Sequence, residues 1–160
     1  MGCVVISFKK KRIVHHLSCA CYTKVGDDVL MLKYTNKWDN VYAPPGGKVE
    51  KGESPLDCLL REYKEETGVI PTDIRLQGIS YYTCTTDGCI FIYTASGYEG
   101  VLKESSEGTL EWIKVDKLEE IRQFDQNAAF TPYLFQDRVF EGKFEITEDA
   151  RVLSKSIRLT

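Results

Sequence analysis

One helix is specified more completely than any other element of this 160-residue chain. Ser54 is a favourable N-cap, Pro55 suits the first helical position, and Asp57 completes a capping box three residues after the cap. Gly68 can adopt the left-handed conformation that ends many helices. Together these signals predict a helix over residues 55–67 with both ends fixed by the local sequence.

Three glutamates share one face of this predicted helix. Glu62, Glu65 and Glu66 are spaced so that their side chains lie about 5–6 Å apart, where like charges repel. Such a cluster of hard oxygen ligands suits Mg²⁺, or alternatively Mn²⁺, which complete their coordination with water and substrate phosphates. The face therefore predicts metal-assisted phosphoryl chemistry, and the alternative is a solvated acidic face with exposed salt bridges. The apolar residues on the neighbouring arc are expected to pack inward: Leu56, Leu59, Leu60 and Tyr63.

A long loop over residues 35–53 precedes the helix and contains the run Pro-Pro-Gly-Gly at positions 44–47. The glycines allow backbone groups to approach a metal or a phosphate closely, and Lys48 adds a positive charge beside them. A P-loop is excluded because Val49 stands where that motif requires Ser or Thr. The loop and the helix are thus expected to form one site.

The rest of the chain reads as a mixture of strands and one further helix, without a repeat or linker. Apolar residues make up 42% and charged residues 28%, which is typical of globular proteins, so a single domain over residues 1–160 is expected. The predicted elements are a hairpin over 17–32 that turns at 26–28, a hairpin of strands 74–83 and 89–96 that flank Asp87-Gly88, strands at 110–115, 143–146 and 152–157, and a helix over 127–136.

Several classes of protein are disfavoured. The net charge of −3 argues against stable nucleic-acid binding but is compatible with a small anionic substrate. The six cysteines contain no C-x-x-C pair, so no zinc ribbon is indicated. The start MGCVVISFKKKR has the reverse charge order of a secretory signal, and no apolar stretch is long enough to span a membrane. We therefore expect a cytoplasmic protein, with a homodimer as an open alternative.

The stretch GKVEKGESPLDCLLREYKEETGV resembles the Nudix box of the Nudix hydrolase family, G-x5-E-x7-R-E-U-x-E-E-x-G-U, where U is apolar. The matching positions are Gly47, Glu53, Arg61, Glu62, Glu65, Glu66, Gly68 and Val69. Tyr63 departs from the usual aliphatic residue, which affects packing more than chemistry. Trp38, the Pro-Gly-Gly approach, EGTLEW at 107–112 and FEGKFEI at 140–146 are similar to the MutT branch, which hydrolyses oxidised purine nucleoside triphosphates such as 8-oxo-dGTP.

This resemblance implies an α/β fold of the α+β kind, an α/β/α sandwich with a mixed β-sheet, and hydrolysis that releases a nucleoside monophosphate and pyrophosphate. The implied metal ligands are the carboxylates of Glu62, Glu65 and Glu66, the carbonyl of Gly46, and Glu107. For Glu107 a solvated acidic loop is the alternative. Glu62 and Glu65 also count as catalytic residues, together with Glu53 and Arg61, which are expected to brace the loop against the helix. The implied substrate contacts are Lys33, Pro45, Gly47, Lys48 and Asn127.

Asn127 matches by position an asparagine that contacts the purine in MutT-type enzymes. Its amide presents an acceptor beside a donor, which complements the N7–H and O6 of 8-oxoguanine but not the two acceptors of guanine. Phe124 or Phe130 would add stacking, and the alternative role for Asn127 is the N-cap of the following helix. Two other functions stay open: a Nudix hydrolase for dinucleoside polyphosphates or ADP-ribose, and a non-catalytic nucleotide-sensing module.

Overall fold

The computed structural model describes residues 14–36, 38 and 40–160, so the expectations about the N-terminal segment concern residues outside the described part. The strands are β1 (His16–Val25), β2 (Asp28–Tyr34), β3 (Tyr42–Ala43), β4 (Gly46–Lys48), β5 (Val69–Thr72), β6 (Arg75–Thr83), β7 (Asp87–Ala95), β8 (Gly97–Gly100), β9 (Gly108–Lys114), β10 (Phe140–Ile146) and β11 (Val152–Leu159). The helices are α1 (Pro55–Thr67) and α2 (Asp125–Phe130), with 3-10 turns at Val115–Lys117 and Thr131–Tyr133. In this described part, no helix is long and apolar enough to cross a membrane.

The main sheet is mixed, as predicted. Within the described residues it contains nine strands in the order β11-β10-β6-β7-β1-β2-β3, with β4 added to β1 and β9 added to β2. The pairs β1–β7 and β6–β10 are parallel, whereas hairpin neighbours such as β6–β7 are antiparallel. A smaller sheet joins β5 to β8, and neither of its short strands was predicted, because four-residue strands carry little periodicity.

The two faces of the main sheet carry one helix each, which gives the expected sandwich. Successive residues of β1 point to opposite faces, so Cys21 contributes to the core under α1 and Tyr22 to the core under α2. Helix α1 brings Leu59 and Tyr63 into the first core. Helix α2 brings Phe130 into the second. The predicted α/β/α class is thereby confirmed.

Two local predictions were wrong for identifiable reasons. The predicted helix over 127–136 begins earlier and its α-helical part ends at Phe130, where a 3-10 turn follows, because Pro132 has no N–H to donate to the carbonyl four residues before it. Gly88 was assigned to a turn but lies inside β7. A Cβ atom there would lie 2.6 Å from Cε1 of Tyr82, so glycine is required by a cross-strand aromatic ring rather than by a turn.

The buried face of α1 is rotated from the predicted one. Leu56 is 41% exposed, although it was expected to pack inward, and Leu60 is only partly buried. At about 100° per residue, Glu66 falls between Glu62 and Leu59. The packing face of the helix is therefore bordered by Glu62 and Glu66, which are partly buried, whereas Glu65 is exposed. The fully buried residues of the helix are Cys58, Leu59, Tyr63 and Thr67.

Candidate active site

Helix α1 has the ends that the sequence predicted. Ser54 Oγ accepts the Asp57 N–H at 3.1 Å, and the Asp57 carboxylate accepts the Ser54 N–H at 2.9 Å. At the other end, Gly68 has a φ of 81°, and its N–H donates to the Lys64 carbonyl at 3.0 Å. Because both ends are fixed, the glutamates in the second half of the helix have a defined position along it.

The two glycines of the preceding loop lie in narrow gaps between β1 and α1. A Cβ atom on Gly46 would overlap the carbonyl oxygen of Cys19 and lie 2.7 Å from the Cα of Ala20. A Cβ atom on Gly47 would overlap the carboxyl group of Glu62 and lie 2.6 Å from its Cγ. Only glycine therefore allows β4 to fit against β1 on one side and the glutamate face on the other.

The backbone of Gly46 is directed toward the glutamates. The hydrogen bonds to β1 are made by residues on either side of Gly46. The Cys21 N–H donates to the Pro45 carbonyl at 3.0 Å, and the Val49 N–H donates to the Leu17 carbonyl at 2.9 Å. Alternate residues of such a pair point away from the partner strand. The Gly46 N–H accordingly donates to Glu66 Oε2 at 2.9 Å, and its carbonyl also points away from β1.

Arg61 links the loop to the helix. Its Nε and Nη2 donate to the two carboxylate oxygens of Glu53 at 2.6 and 2.9 Å, its Nη1 donates to Glu62 Oε1 at 2.8 Å, and its Nη2 also donates to the Lys48 carbonyl at 3.1 Å. These bonds hold the pKa of Glu53 down at about 2, with help from the N–H of Glu50. Arg61 thus joins Glu53 and the backbone of the loop to Glu62 of the helix.

Glu66 is the acid whose environment differs most from water. Burial is the main cause that raises its pKa to about 7, the negative charges of Glu107, Glu62 and Glu65 add to it, and the Gly46 N–H opposes it. A partly buried carboxylate with three acidic neighbours is stabilised by a bound cation. The hard oxygen donors at this site therefore fit a divalent metal ion.

The carboxylates are nevertheless paired with protein groups in this conformation. Over residues 14–36, 38 and 40–160, no three Asp, Glu, His or Cys side chains have a ready arrangement for a metal ion. Arg61 Nη1 holds Glu62 at 2.8 Å and lies 3.8 Å from Glu65 Oε2. Arg61 is therefore a charged partner of both Glu62 and Glu65 in this conformation.

Glu107 lies in the exposed segment between β8 and β9. Its carbonyl accepts the Thr35 N–H at 3.3 Å, and its own N–H donates to Ser105 Oγ at 3.2 Å. Its charge and that of Glu66 both raise the pKa of Tyr34, which burial has already increased, to about 12. The structure thus brings Glu107, Glu66 and Tyr34 into one electrostatic neighbourhood.

The predicted substrate contacts outside α2 differ in their exposure and in the protein groups that they contact. Lys33 Nζ lies 3.8 Å from Glu111 Oε1 and 5.5 Å from the centre of the Tyr42 ring, so it is partnered within the sheet. Lys48 has an exposed side chain next to Gly47. Pro45 is buried and its carbonyl is bonded to β1, so that oxygen is already engaged.

The structure around α2 contradicts two predictions, one about Asn127 and one about Phe130. The helix begins at Asp125 with Phe124 as its N-cap residue, so the alternative in which Asn127 caps the helix is wrong. Phe130 is 1% exposed and stacks on Phe140 at 5.3 Å, so its predicted stacking on a base is also wrong.

Phe124 belongs to an aromatic trio that sequence reasoning missed. Its ring contacts Trp38 at 5.2 Å and Tyr34 at 6.3 Å between centroids, and all three residues are partly buried. The available signal was the presence of aromatic residues at the end of β2, in the following loop and just before α2. Because these positions are distant in the chain, only the fold shows that they meet.

Comparison with known proteins agrees with this geometry. Residues 14–135 match the NUDIX domain family. The uncharacterized Nudix hydrolase YvcI of Bacillus subtilis is 28% identical over 84% of this chain and 89% of that protein. The oxidized purine nucleoside triphosphate hydrolase of Mus musculus is 28% identical over 71% of this chain and 74% of that protein. The crystal structure of the MutT protein from Bacillus halodurans has a TM-score of 0.82 and 31% identity, covering 89% of this chain and 97% of that one. The chain therefore belongs to the Nudix hydrolase family, whose enzymes use divalent cations to hydrolyse phosphoanhydride bonds.

Proposed function

We propose that this protein is a Mg²⁺-dependent nucleoside triphosphate pyrophosphohydrolase that converts 8-oxo-dGTP to 8-oxo-dGMP and pyrophosphate. The observation that carries the proposal is the partly buried Glu66, which is bonded to the backbone of the glycine loop and surrounded by three further glutamates. Relatives from mouse and zebrafish named as oxidized purine nucleoside triphosphate hydrolases support the substrate class. All glutamates of the Nudix box are present, which disfavours a non-catalytic module.

The metal is assigned to the carboxylates of Glu62, Glu65 and Glu66 and the carbonyl of Gly46, with Glu107 as a further ligand. When bound, a divalent cation neutralises phosphate charge and polarises the attacked phosphoryl group. Water adds across the α–β phosphoanhydride: its oxygen bonds to one phosphorus, and the bridging oxygen leaves with the other phosphate. The Gly46 N–H orients Glu66 for this chemistry.

The purine is assigned to the aromatic trio and Asn127. Asn127 lies in α2, three residues after Phe124, the N-cap residue of that helix, and it is partly buried. The amide oxygen accepts the N7–H of 8-oxoguanine and the amide nitrogen donates to O6. With guanine the amide oxygen faces the N7 lone pair, and the unpaired acceptor costs about 1–3 kcal/mol, or roughly 5- to 150-fold in discrimination.

Kinetics of Asn127→Ala test this assignment. We expect the ratio of kcat/KM for 8-oxo-dGTP to that for dGTP to fall about 5- to 150-fold, because activity is lost on the oxidised substrate alone. Gln136→Ala removes an exposed amide that donates to the Pro132 carbonyl, and it serves as the matched control with an unchanged ratio. If Asn127→Ala also keeps the wild-type ratio, Asn127 does not read the base.

A further inference from the structure

Two cysteine thiols meet between β1 and α1, under the glycine loop. Sγ of Cys19 and Sγ of Cys58 are 3.0 Å apart, and both residues belong to the core under α1. They are 39 positions apart in the chain, so the fold rather than a local motif brings them together. A disulfide has an S–S length of about 2.05 Å, so the two sulfur atoms lie roughly 1 Å outside bonding distance.

Other thiols of the described residues have different neighbours. Cys21 Sγ lies 3.8 Å from Thr23 Oγ1, and Cys84 Sγ lies 3.9 Å from Thr85 Oγ1. The contact between Cys19 and Cys58 is the one that joins a strand of the main sheet to α1. A bond at this place would therefore link two elements of the fold.

Arg61 covers the thiol pair. Its Nη2 lies 4.0 Å from Cys58 Sγ, and its side chain is 26% exposed. Cys58 is fully buried and Cys19 is 3% exposed, so a small oxidant reaches the sulfur atoms when Arg61 and the loop move aside. Burial also raises the pKa of both thiols, and a protonated thiol reacts slowly. We therefore expect slow oxidation that follows local opening of the loop.

The thiol pair is connected to the acidic cluster through Gly47. This glycine is the register partner of Cys19 in β1, and its carbonyl oxygen lies 3.7 Å from Cys58 Sγ. A Cβ atom on Gly47 would lie 2.6 Å from Glu62 Cγ, so the loop has little free space on the side of the helix. Glu62 lies one helical turn after Cys58. Drawing the two sulfur atoms together by about 1 Å therefore shifts Glu62 relative to the loop.

We propose that Cys19 and Cys58 form a modification site, at which peroxide produces a reversible disulfide that slows hydrolysis at the acidic cluster. The bond follows from the positions of the sulfur atoms, whereas its effect on the rate rests on the proposed function. Peroxide transfers one oxygen to a thiol, which gives a sulfenic acid and one water. The second thiol bonds to that sulfur and a second water leaves, so two electrons pass from the thiols to the peroxide. A dithiol reverses the step by exchange.

A peptide map tests the bond. The wild type is treated with hydrogen peroxide, the remaining thiols are alkylated, and the protein is digested with trypsin without a reductant. The expected product joins residues 13–24 to residues 52–61, the tryptic peptides that contain Cys19 and Cys58. Fragmentation distinguishes Cys19 from Cys21 in the first peptide. The site is refuted if the bond starts at Cys21, or if the partly exposed Cys84 is oxidised while Cys19 and Cys58 stay reduced.

Hydrolysis of 8-oxo-dGTP before and after peroxide tests the effect of the bond. We expect kcat/KM to fall roughly 10- to 100-fold, because a misplacement of about 1 Å at a reacting site has an effect of this size, and to recover with dithiothreitol. Cys58→Ala and Cys19→Ala should each keep their own untreated rate after peroxide. Cys84→Ser removes a partly exposed thiol and is the control, which should respond as the wild type does.

This proposal and the proposed function fail in different ways. If the reduced wild type hydrolyses no nucleotide, the proposed function fails, while a bond in the peptide map still supports the site and its absence refutes the site. If the bond forms completely and kcat/KM is unchanged, the effect on hydrolysis is refuted. An equal loss of rate after peroxide in Cys58→Ala, Cys19→Ala and the wild type also refutes it, because another oxidised group would then be responsible.

Discussion

Adding one methyl group should lower the rate of hydrolysis at Gly47 but the stability of the protein at Gly46, although the two residues are adjacent. At Gly47 the new Cβ would lie 2.6 Å from Glu62 Cγ, whereas carbon atoms in contact lie about 3.5–4.0 Å apart. The Glu62 side chain must therefore retreat by roughly 1 Å. This movement lengthens its 2.8 Å bond from Arg61 and shifts a proposed metal ligand.

The size of each effect depends on whether the atoms that the new Cβ atom would overlap can move away. A misplacement of about 1 Å at a reacting site costs roughly 10²-fold in rate, while a flexible carboxylate moves with little loss of stability, within about 1 kcal/mol. At Gly46 the obstacle is the backbone of β1, where the Cα of Ala20 would lie 2.7 Å away. Separating the strands should destabilise the protein by about 1–3 kcal/mol, or roughly 3–10 °C in melting temperature.

Two measurements on Gly46→Ala and Gly47→Ala check this reasoning. The first is kcat/KM for 8-oxo-dGTP with Mg²⁺, and the second is the melting temperature without nucleotide. We expect Gly47→Ala to lose about 10²-fold in kcat/KM with a nearly normal melting temperature, and Gly46→Ala to melt at a lower temperature. A Gly47→Ala protein with the wild-type rate would show that the position of Glu62 does not matter for hydrolysis.

Two further predictions concern side chains that hold α1 against the loop and the sheet. Arg61→Ala should lower the melting temperature together with kcat, because it removes the bonds between loop and helix; reduced kcat with unchanged stability and unchanged metal affinity would contradict a bracing role. Tyr63→Phe should lower the free energy of unfolding by about 1–2 kcal/mol in urea titration, since the 2.7 Å bond from Tyr63 to Thr23 Oγ1 is buried between α1 and β1. An unchanged unfolding midpoint would refute this second prediction.

Helix α1 was predictable because its signals are local. Ser54, Asp57 and Gly68 act within one turn of the helix ends, so short stretches of sequence contain all that determines them. The glutamate cluster was predictable for the same reason, since helical spacing alone brings Glu62 and Glu66 together.

The errors arose where distant parts of the chain decide the outcome. Gly88 has the sequence context of a turn, yet the ring of Tyr82 on the neighbouring strand explains why glycine is needed there. Phe124 and Phe130 are equivalent in sequence as stacking candidates. Burial against Phe140 excludes Phe130 from base stacking, whereas Phe124 is partly buried and contacts Tyr34.

Metal-dependent pyrophosphate release from 8-oxo-dGTP tests the central claim most directly. It should be measured for the wild type, Glu65→Gln, Glu66→Gln and the control Glu99→Gln, which changes an exposed glutamate of β8. The account predicts release with Mg²⁺, none in excess chelator, a loss of roughly 10²–10⁴-fold in kcat for the two helix variants, and a normal rate for the control. Undiminished release by Glu66→Gln, or by the wild type in excess chelator, would contradict it.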